Sequence, residues 1–150
     1  MEREKLDLTQ EDGYKALKAH VVEKAQLARQ RYGPDLDEAA LRALLEDRDL
    51  VRYPTELVLD SDPLQEGEFA IALPVEGDGP RSYRVHVHEH FAQRPQDWPA
   101  LVAYHLPTVN YADLVTHEEA ELFGATLLGM EVEAYYELVC ALADELPTRS

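Results

Sequence analysis

The histidines of "RVHVHEH", residues 84–90, are the residues whose type and spacing point most directly to chemistry. His86, His88 and His90 stand at alternate positions. Successive side chains of a β-strand point to opposite faces, so a strand here would place the three imidazoles on one face with Arg84. The intervening valines would face the core. The pattern therefore predicts ring nitrogens that are available outside the hydrophobic interior.

Imidazole is a common ligand of Zn, Ni and Fe, so the first chemistry to consider is a metal site. A strand rises about 3.3 Å per residue, which separates His86 and His88 by about 6.6 Å. Their side chains could converge on one ion with bonds of about 2.0–2.1 Å. His90 starts about 13 Å from His86, too far to join them from a regular strand. A third ligand would come from elsewhere, the candidates being His105, Asp97, His117 and Glu118.

The same strand has two other interpretations. Antiparallel sheets often leave one face in water, so the histidines could be part of a solvated polar face. They could also contact a substrate or a partner. The preceding strand is expected to place Phe69, Ile71 and Leu73 on one face. Its Ala70 and Ala72 would then lie beside the histidines, leaving room but no specific partner.

A second motif, "HEEAE" at 117–121, begins like the zincin signature H-E-x-x-H but lacks its second histidine. Glu121 occupies that position. We therefore interpret the segment as a helix start, with Thr116 and Glu119 forming a capping box. The sequence contains no Gly-rich phosphate loop and no G-x-S-x-G nucleophile motif.

The net charge of the chain limits the classes of partner that it can bind. Thirty acidic residues against 14 basic ones give a formal net charge of −16. Nucleic-acid binding needs clustered Lys and Arg, and no basic tract occurs, so we expect neither nucleic acid nor an anionic membrane as partner. The charged N-terminus lacks the apolar segment of a secretory signal, and the single cysteine forms no disulfide framework. These features favour a cytoplasmic location.

The hydrophobic periodicity predicts one domain, 1–150, of the α+β class. In order, we expect helices at 8–34 and 38–48, strands at 55–60, 67–75 and 82–91, and helices at 97–107, 117–129 and 131–146. Thr9 would cap the first helix and Asp37 the second. The expected architecture is an N-terminal helix pair, a small antiparallel sheet built on the hairpin 67–75/82–91, and C-terminal helices packed on one face.

These observations favour a small acidic binding protein without catalytic activity or a cofactor. It would engage a protein partner, or copies of itself in a homo-oligomer, through the hairpin and the C-terminal helices. The alternative is a metal-binding protein or metal-dependent hydrolase with a divalent transition metal such as Zn. In that case His86 and His88 would hold the metal and an activated water, and His90 would orient a ligand or shuttle a proton.

Overall fold

The computed structural model describes residues 2–147, with side chains from residue 13 onward. This part of the chain is an α+β domain. Its helices are α1 (Glu2–Tyr32), α2 (Glu38–Glu46), α3 (Trp98–Ala103), α4 (Leu106–Tyr111), α5 (His117–Leu128) and α6 (Val132–Asp144). Its strands are β1 (Thr55–Leu59), β2 (Ala70–Pro74) and β3 (Tyr83–Val87).

The N-terminal helix pair is present, with one difference at its start. Helix α1 begins at Glu2, so the backbone at Thr9 is helical and Thr9 is not its N-cap. The side chain of Thr9 lies outside the described residues. Helix α2 begins as predicted, because the Asp37 carboxylate accepts the N–H of Ala40 at 2.8 Å.

The predicted hairpin forms, but the sheet that contains it is mixed. Strands β2 and β3 pair antiparallel, and β1 joins the other edge of β3 in parallel, giving the order β1-β3-β2. The chain reverses twice between β1 and β3, so the two strands run in the same direction. The sheet is therefore not antiparallel throughout, and β3, which carries His86, is its central strand.

The two faces of β2 have the opposite roles to those expected. Ala70 and Ala72 are buried in the core, whereas Ile71 is directly paired with His86 across the hairpin. Leu73 is likewise paired with Arg84. Helix α4 packs against β2, and alanine side chains allow a helix to come close. The outer face of the sheet therefore has aliphatic side chains beside its histidine.

The helices pack on one face of the sheet, as predicted. Helices α2, α3 and α4 contact β1, β3 and β2 respectively, and α5 contacts α1, α3, α4 and α6. At the C-terminus of α5, Gly129 adopts the left-handed conformation with φ 68°, the usual end of a helix. The Arg29 guanidinium donates to the Leu127 carbonyl there at 3.2 Å, which joins α1 to α5.

The segment 97–107, predicted as one helix, forms two. Helix α3 ends before Tyr104, and α4 starts after His105 with Pro107 in its first turn. Proline has no N–H and is tolerated there but not in a helix interior. Asp97 makes no capping bond to α3, because its carboxylate pairs with Arg94 at 2.8 Å.

Among residues 2–147, no helix is both long and apolar enough to cross a membrane.

Candidate functional site

The structure places His86 on the outer face of the sheet, away from the core. Val58 and Ile71 are its register partners on the two neighbouring strands. The His86 side chain is only 13% exposed, and its Nδ1 atom is buried without a hydrogen-bond partner. The carboxylate oxygen Asp60 Oδ2 lies 3.7 Å from Nδ1. His86 is therefore a shielded ring on a mainly aliphatic face rather than a solvated one.

The regular alternation of the strand stops before His90. Strand β3 ends at Val87, and a 3₁₀ turn covers Glu89–Phe91. His88 caps this turn, with its Nδ1 atom accepting the backbone N–H of His90 at 3.0 Å. The prediction that a single strand face holds all three rings is therefore wrong beyond His88, because a turn follows the strand.

His90 belongs to a charged network at the C-terminal end of α6. Its Nε2 atom lies 3.6 Å from Glu145 Oε1. The Arg94 guanidinium donates to both carboxylate oxygens of Glu145 and, through Nε, to Asp97 at 2.8 Å. The hydrogen bonds from Arg94 hold the pKa of Glu145 below its ordinary value. This network fixes the segment after β3 to α6.

His105 lies in an aromatic environment. Its ring makes edge contacts with Phe69 and Tyr104, at centroid distances of 5.6 and 5.4 Å. Burial lowers the pKa of His105 to about 4, so the ring is neutral at pH 7.

The two candidates on α5 are at its N-terminus. His117 is exposed, and Glu118 pairs with Lys18 at 3.0 Å. Thr116 caps the helix by accepting the Glu118 N–H at 3.3 Å, and its hydroxyl donates to the buried Glu119 carboxylate. Among the side chains described, 13–147, no three from His, Cys, Asp or Glu lie close enough to hold one metal ion. Metal binding at His86 and His88 stays a prediction.

One concave feature is a groove of about 540 Å³ that the sequence did not indicate. It lies between the loop that precedes α2, the start of α3, and the outer sides of α5 and α6. Leu36, Pro99 and Ala100 are its buried apolar residues. Leu128 and Leu138 add half-buried apolar surface from α5 and α6. We call this feature the acidic groove because of its rim.

The rim of the acidic groove carries negative charge. Asp35, Asp37 and Glu38 are exposed on one side, and Asp97 is on the other. The lining residues that the structure describes include no Lys or Arg. Asp37 is engaged in capping α2 and Asp97 in its pair with Arg94, and Glu38 makes only a solvent-exposed ion pair with Arg42 at 3.6 Å, so Asp35 and Glu38 are the carboxylates best placed to meet a ligand.

One proline lies in each of the two segments that form the α3 side of the groove. Pro95 starts a 3₁₀ turn and Pro99 lies in the first turn of α3. The Trp98 indole donates to the Phe91 carbonyl at 2.8 Å, and the Arg42 guanidinium stacks over its ring at 5.9 Å. These contacts give the groove a rigid wall.

One sequence signal could have located this groove. Proline and acidic residues recur together in "PDLDE", 34–38, and "RPQDWP", 94–99, but the proximity of these two segments depends on tertiary packing.

No protein-family model matches the chain, and neither a curated protein nor a solved structure is significantly similar to it.

Proposed function

We propose that this domain is a binding protein whose acidic groove receives a segment of a protein partner. The observation that carries the proposal is the combination of an apolar floor and a carboxylate rim in this groove of about 540 Å³. Such a site fits a partner segment with Leu- or Ile-type side chains next to Lys or Arg. The aliphatic side chains would contact Leu36 and Leu138, and the cations would lie beside Asp35 and Glu38.

The dimensions support a short peptide segment as the occupant. Pockets that bind compact ligands usually have volumes of about 300–1,000 Å³ and mostly apolar linings, with few polar groups. The groove, at about 540 Å³, lies within this range. It has space for a few side chains, so the expected complex is a small one in which the apolar anchors provide affinity and the charges provide orientation.

The charge of the whole chain supports a basic partner. A net charge of −16 attracts cations over distances comparable to the Debye length, which is about 8 Å at physiological ionic strength. The same charge repels a second copy of this chain, which makes self-association through the groove unfavourable. Association with a basic segment should therefore slow as salt is added.

The test uses a synthetic capped peptide of Leu and Lys residues and a matched peptide with Glu at every Lys position. We expect only the Lys peptide to bind. The Asp35→Asn/Glu38→Gln variant should bind it about 3- to 10-fold more weakly, because contacts between exposed charges each contribute up to about 1 kcal/mol. The control, Asp62→Asn/Glu76→Gln, removes the same charge at exposed positions outside the groove. Equal weakening by both variants would contradict a specific role for the rim.

A metal site is the second candidate function, and one observation favours it. The buried Nδ1 atom of His86 lacks a hydrogen-bond partner and lies 3.7 Å from Asp60 Oδ2. His86, His88 and Asp60 do not lie close enough together to hold one ion, so a three-ligand site requires them to move toward one another. Zn accepts such a combination of two imidazoles and one carboxylate, with a fourth position for water.

A further inference from the structure

A second cavity, of about 290 Å³, has the opposite charge from the acidic groove. It lies between α1, the loop that follows α2, and the C-terminal end of α4. Its lining residues are His20, Lys24, Arg48, Leu50, Arg52, Asn110 and Tyr111. Three of the 14 Lys and Arg residues of the chain therefore meet at one cavity, and the lining that the structure describes has no carboxylate. We call this cavity the basic pocket.

Backbone carbonyls, rather than carboxylates, position two of these cations. The Lys24 ammonium donates to the Asp49 carbonyl oxygen. The Arg48 guanidinium donates to the Val51 carbonyl at 2.8 Å, and its only carboxylate within ion-pair distance among the described residues is Glu46, at 3.6 Å. A carbonyl orients a cation but does not neutralise it, so the positive charge of Lys24 remains available, whereas that of Arg48 is partly offset by its solvent-exposed ion pair with Glu46.

Arg52 is the third cation of the basic pocket. Its guanidinium stacks over the Tyr53 ring at 5.2 Å, and no carboxylate among the described residues lies within ion-pair distance. Its backbone N–H donates to the Asn110 side-chain oxygen at 2.8 Å, while the Asn110 amide donates to the Leu50 carbonyl at 2.9 Å. Asn110 thereby fixes the backbone that carries Arg52.

The floor of the basic pocket combines apolar surface with hydroxyl and amide groups. Leu50 and Asn110 are buried, and the Tyr111 hydroxyl makes a hydrogen bond with His20 Nδ1. Burial raises the pKa of Tyr111 to about 12, so its hydroxyl keeps its proton at pH 7. The floor can therefore contact an organic group while the cations surround an anion.

We propose that the basic pocket binds a small organic phosphate, with the phosphate group held by Lys24, Arg48 and Arg52. Arginine guanidinium groups and a lysine ammonium are the side chains that bind phosphate best. A cavity lined by one sign of charge also concentrates ions of the other sign, even on a chain with a large negative net charge. Leu50 and the Tyr111 ring provide surface for the organic part.

Titration calorimetry tests this proposal. The protein is titrated with phenyl phosphate, with inorganic phosphate and, as a control, with sodium chloride, all at equal ionic strength. We expect phenyl phosphate to bind one site and to bind more tightly than inorganic phosphate. The Lys24→Gln/Arg52→Gln variant should lose about tenfold or more in affinity, because it removes two charge-assisted contacts. The control Lys15→Gln/Arg84→Gln removes the same charge at exposed positions outside the cavity and should keep its affinity.

Two results would overturn the proposal. One is binding no stronger than that of chloride, or equal loss in both double variants, which would show only a general effect of charge. The other is equal affinity for phenyl phosphate and inorganic phosphate, which would show that the pocket does not bind the organic group of the ligand. Circular dichroism checks that each variant is folded, and Arg52→Lys, which keeps the charge, should retain more affinity than Arg52→Gln. The Leu and Lys peptide provides an independent readout, because it is expected to bind the acidic groove of every variant.

Discussion

The ring of Tyr135 on α6 occupies the position that a Cβ atom of residue 124 on α5 would need. A Cβ built on Gly124 would lie 2.0 Å from the Tyr135 Cζ atom. The Tyr135 hydroxyl continues across this contact and donates to the Ala100 carbonyl on α3 at 2.7 Å. One buried side chain therefore joins three helices, and Ala100 is itself in the floor of the acidic groove.

Replacing Gly124 with alanine should destabilise the domain. The new methyl group would displace a fully buried ring that is also held by a hydrogen bond, and overpacking of this kind costs about 1–3 kcal/mol or more. Urea unfolding would measure the change. Gly13→Ala is the matched control, since nothing lies within 4 Å of its Cβ position in α1, and it should be neutral or stabilise by up to about 1 kcal/mol. Equal stability of the two variants would contradict the close contact.

Removing only the Tyr135 hydroxyl should have a smaller effect. Tyr135→Phe keeps the ring against Gly124 but leaves the Ala100 carbonyl without its donor, which should cost about 1–2 kcal/mol. The control Tyr136→Phe changes an exposed side chain on the same helix. The hydrogen bond would be of no consequence for stability if the two variants unfolded at the same urea concentration.

The half-buried ring of His105 should make stability depend on pH. Its pKa in the folded protein is about 4, against the ordinary histidine value of 6.5, so the unfolded chain binds more protons between these values. Stability from this residue is complete above about pH 6.5 and is lost as pH falls toward 4. The loss should be on the order of 3 kcal/mol, since the pKa values differ by about 2.5 units and one unit corresponds to about 1.4 kcal/mol.

This dependence can be assigned by substitution. His105→Gln removes the titrating group, so its stability should fall less than that of the wild type between pH 7 and pH 4. His117→Gln removes an exposed histidine and should keep the wild-type dependence. The assignment to His105 fails if both variants retain the same slope.

The metal hypothesis predicts zinc that depends on the two histidines of β3. Elemental analysis of the untagged protein, purified with added zinc and then dialysed, should find about one zinc per chain. The His86→Ala/His88→Ala variant should carry much less, and His20→Ala/His117→Ala, which removes two exposed histidines, should match the wild type. Zinc content that is the same in all three proteins would eliminate this site.

The sequence predicted those features that depend on local patterning. Alternation of apolar residues located β2 and β3, and Asp37, Thr116 and Gly129 marked helix ends that the structure confirms. Each signal acts within one or two turns of chain, so no tertiary information was needed.

The features that sequence reasoning missed depend on distant packing. Local alternation separates Ile71 from Ala72 but does not determine which side is buried; the helices that pack on the alanine side determine it. The parallel pairing of β1, the acidic groove and the basic pocket also join segments far apart in sequence. Arg52 and Asn110, for example, are brought together only by the folded chain.

Nuclear magnetic resonance with the Leu and Lys peptide tests the central claim most directly. Backbone amide shifts of ¹⁵N-labelled protein, recorded during titration, locate the bound peptide. We expect the largest changes at Leu36, Glu38, Ala100 and Leu138, with little change on the outer face of the sheet around His86. Saturable changes centred on that outer face, or no saturable change at all, would contradict a peptide-binding role for the acidic groove.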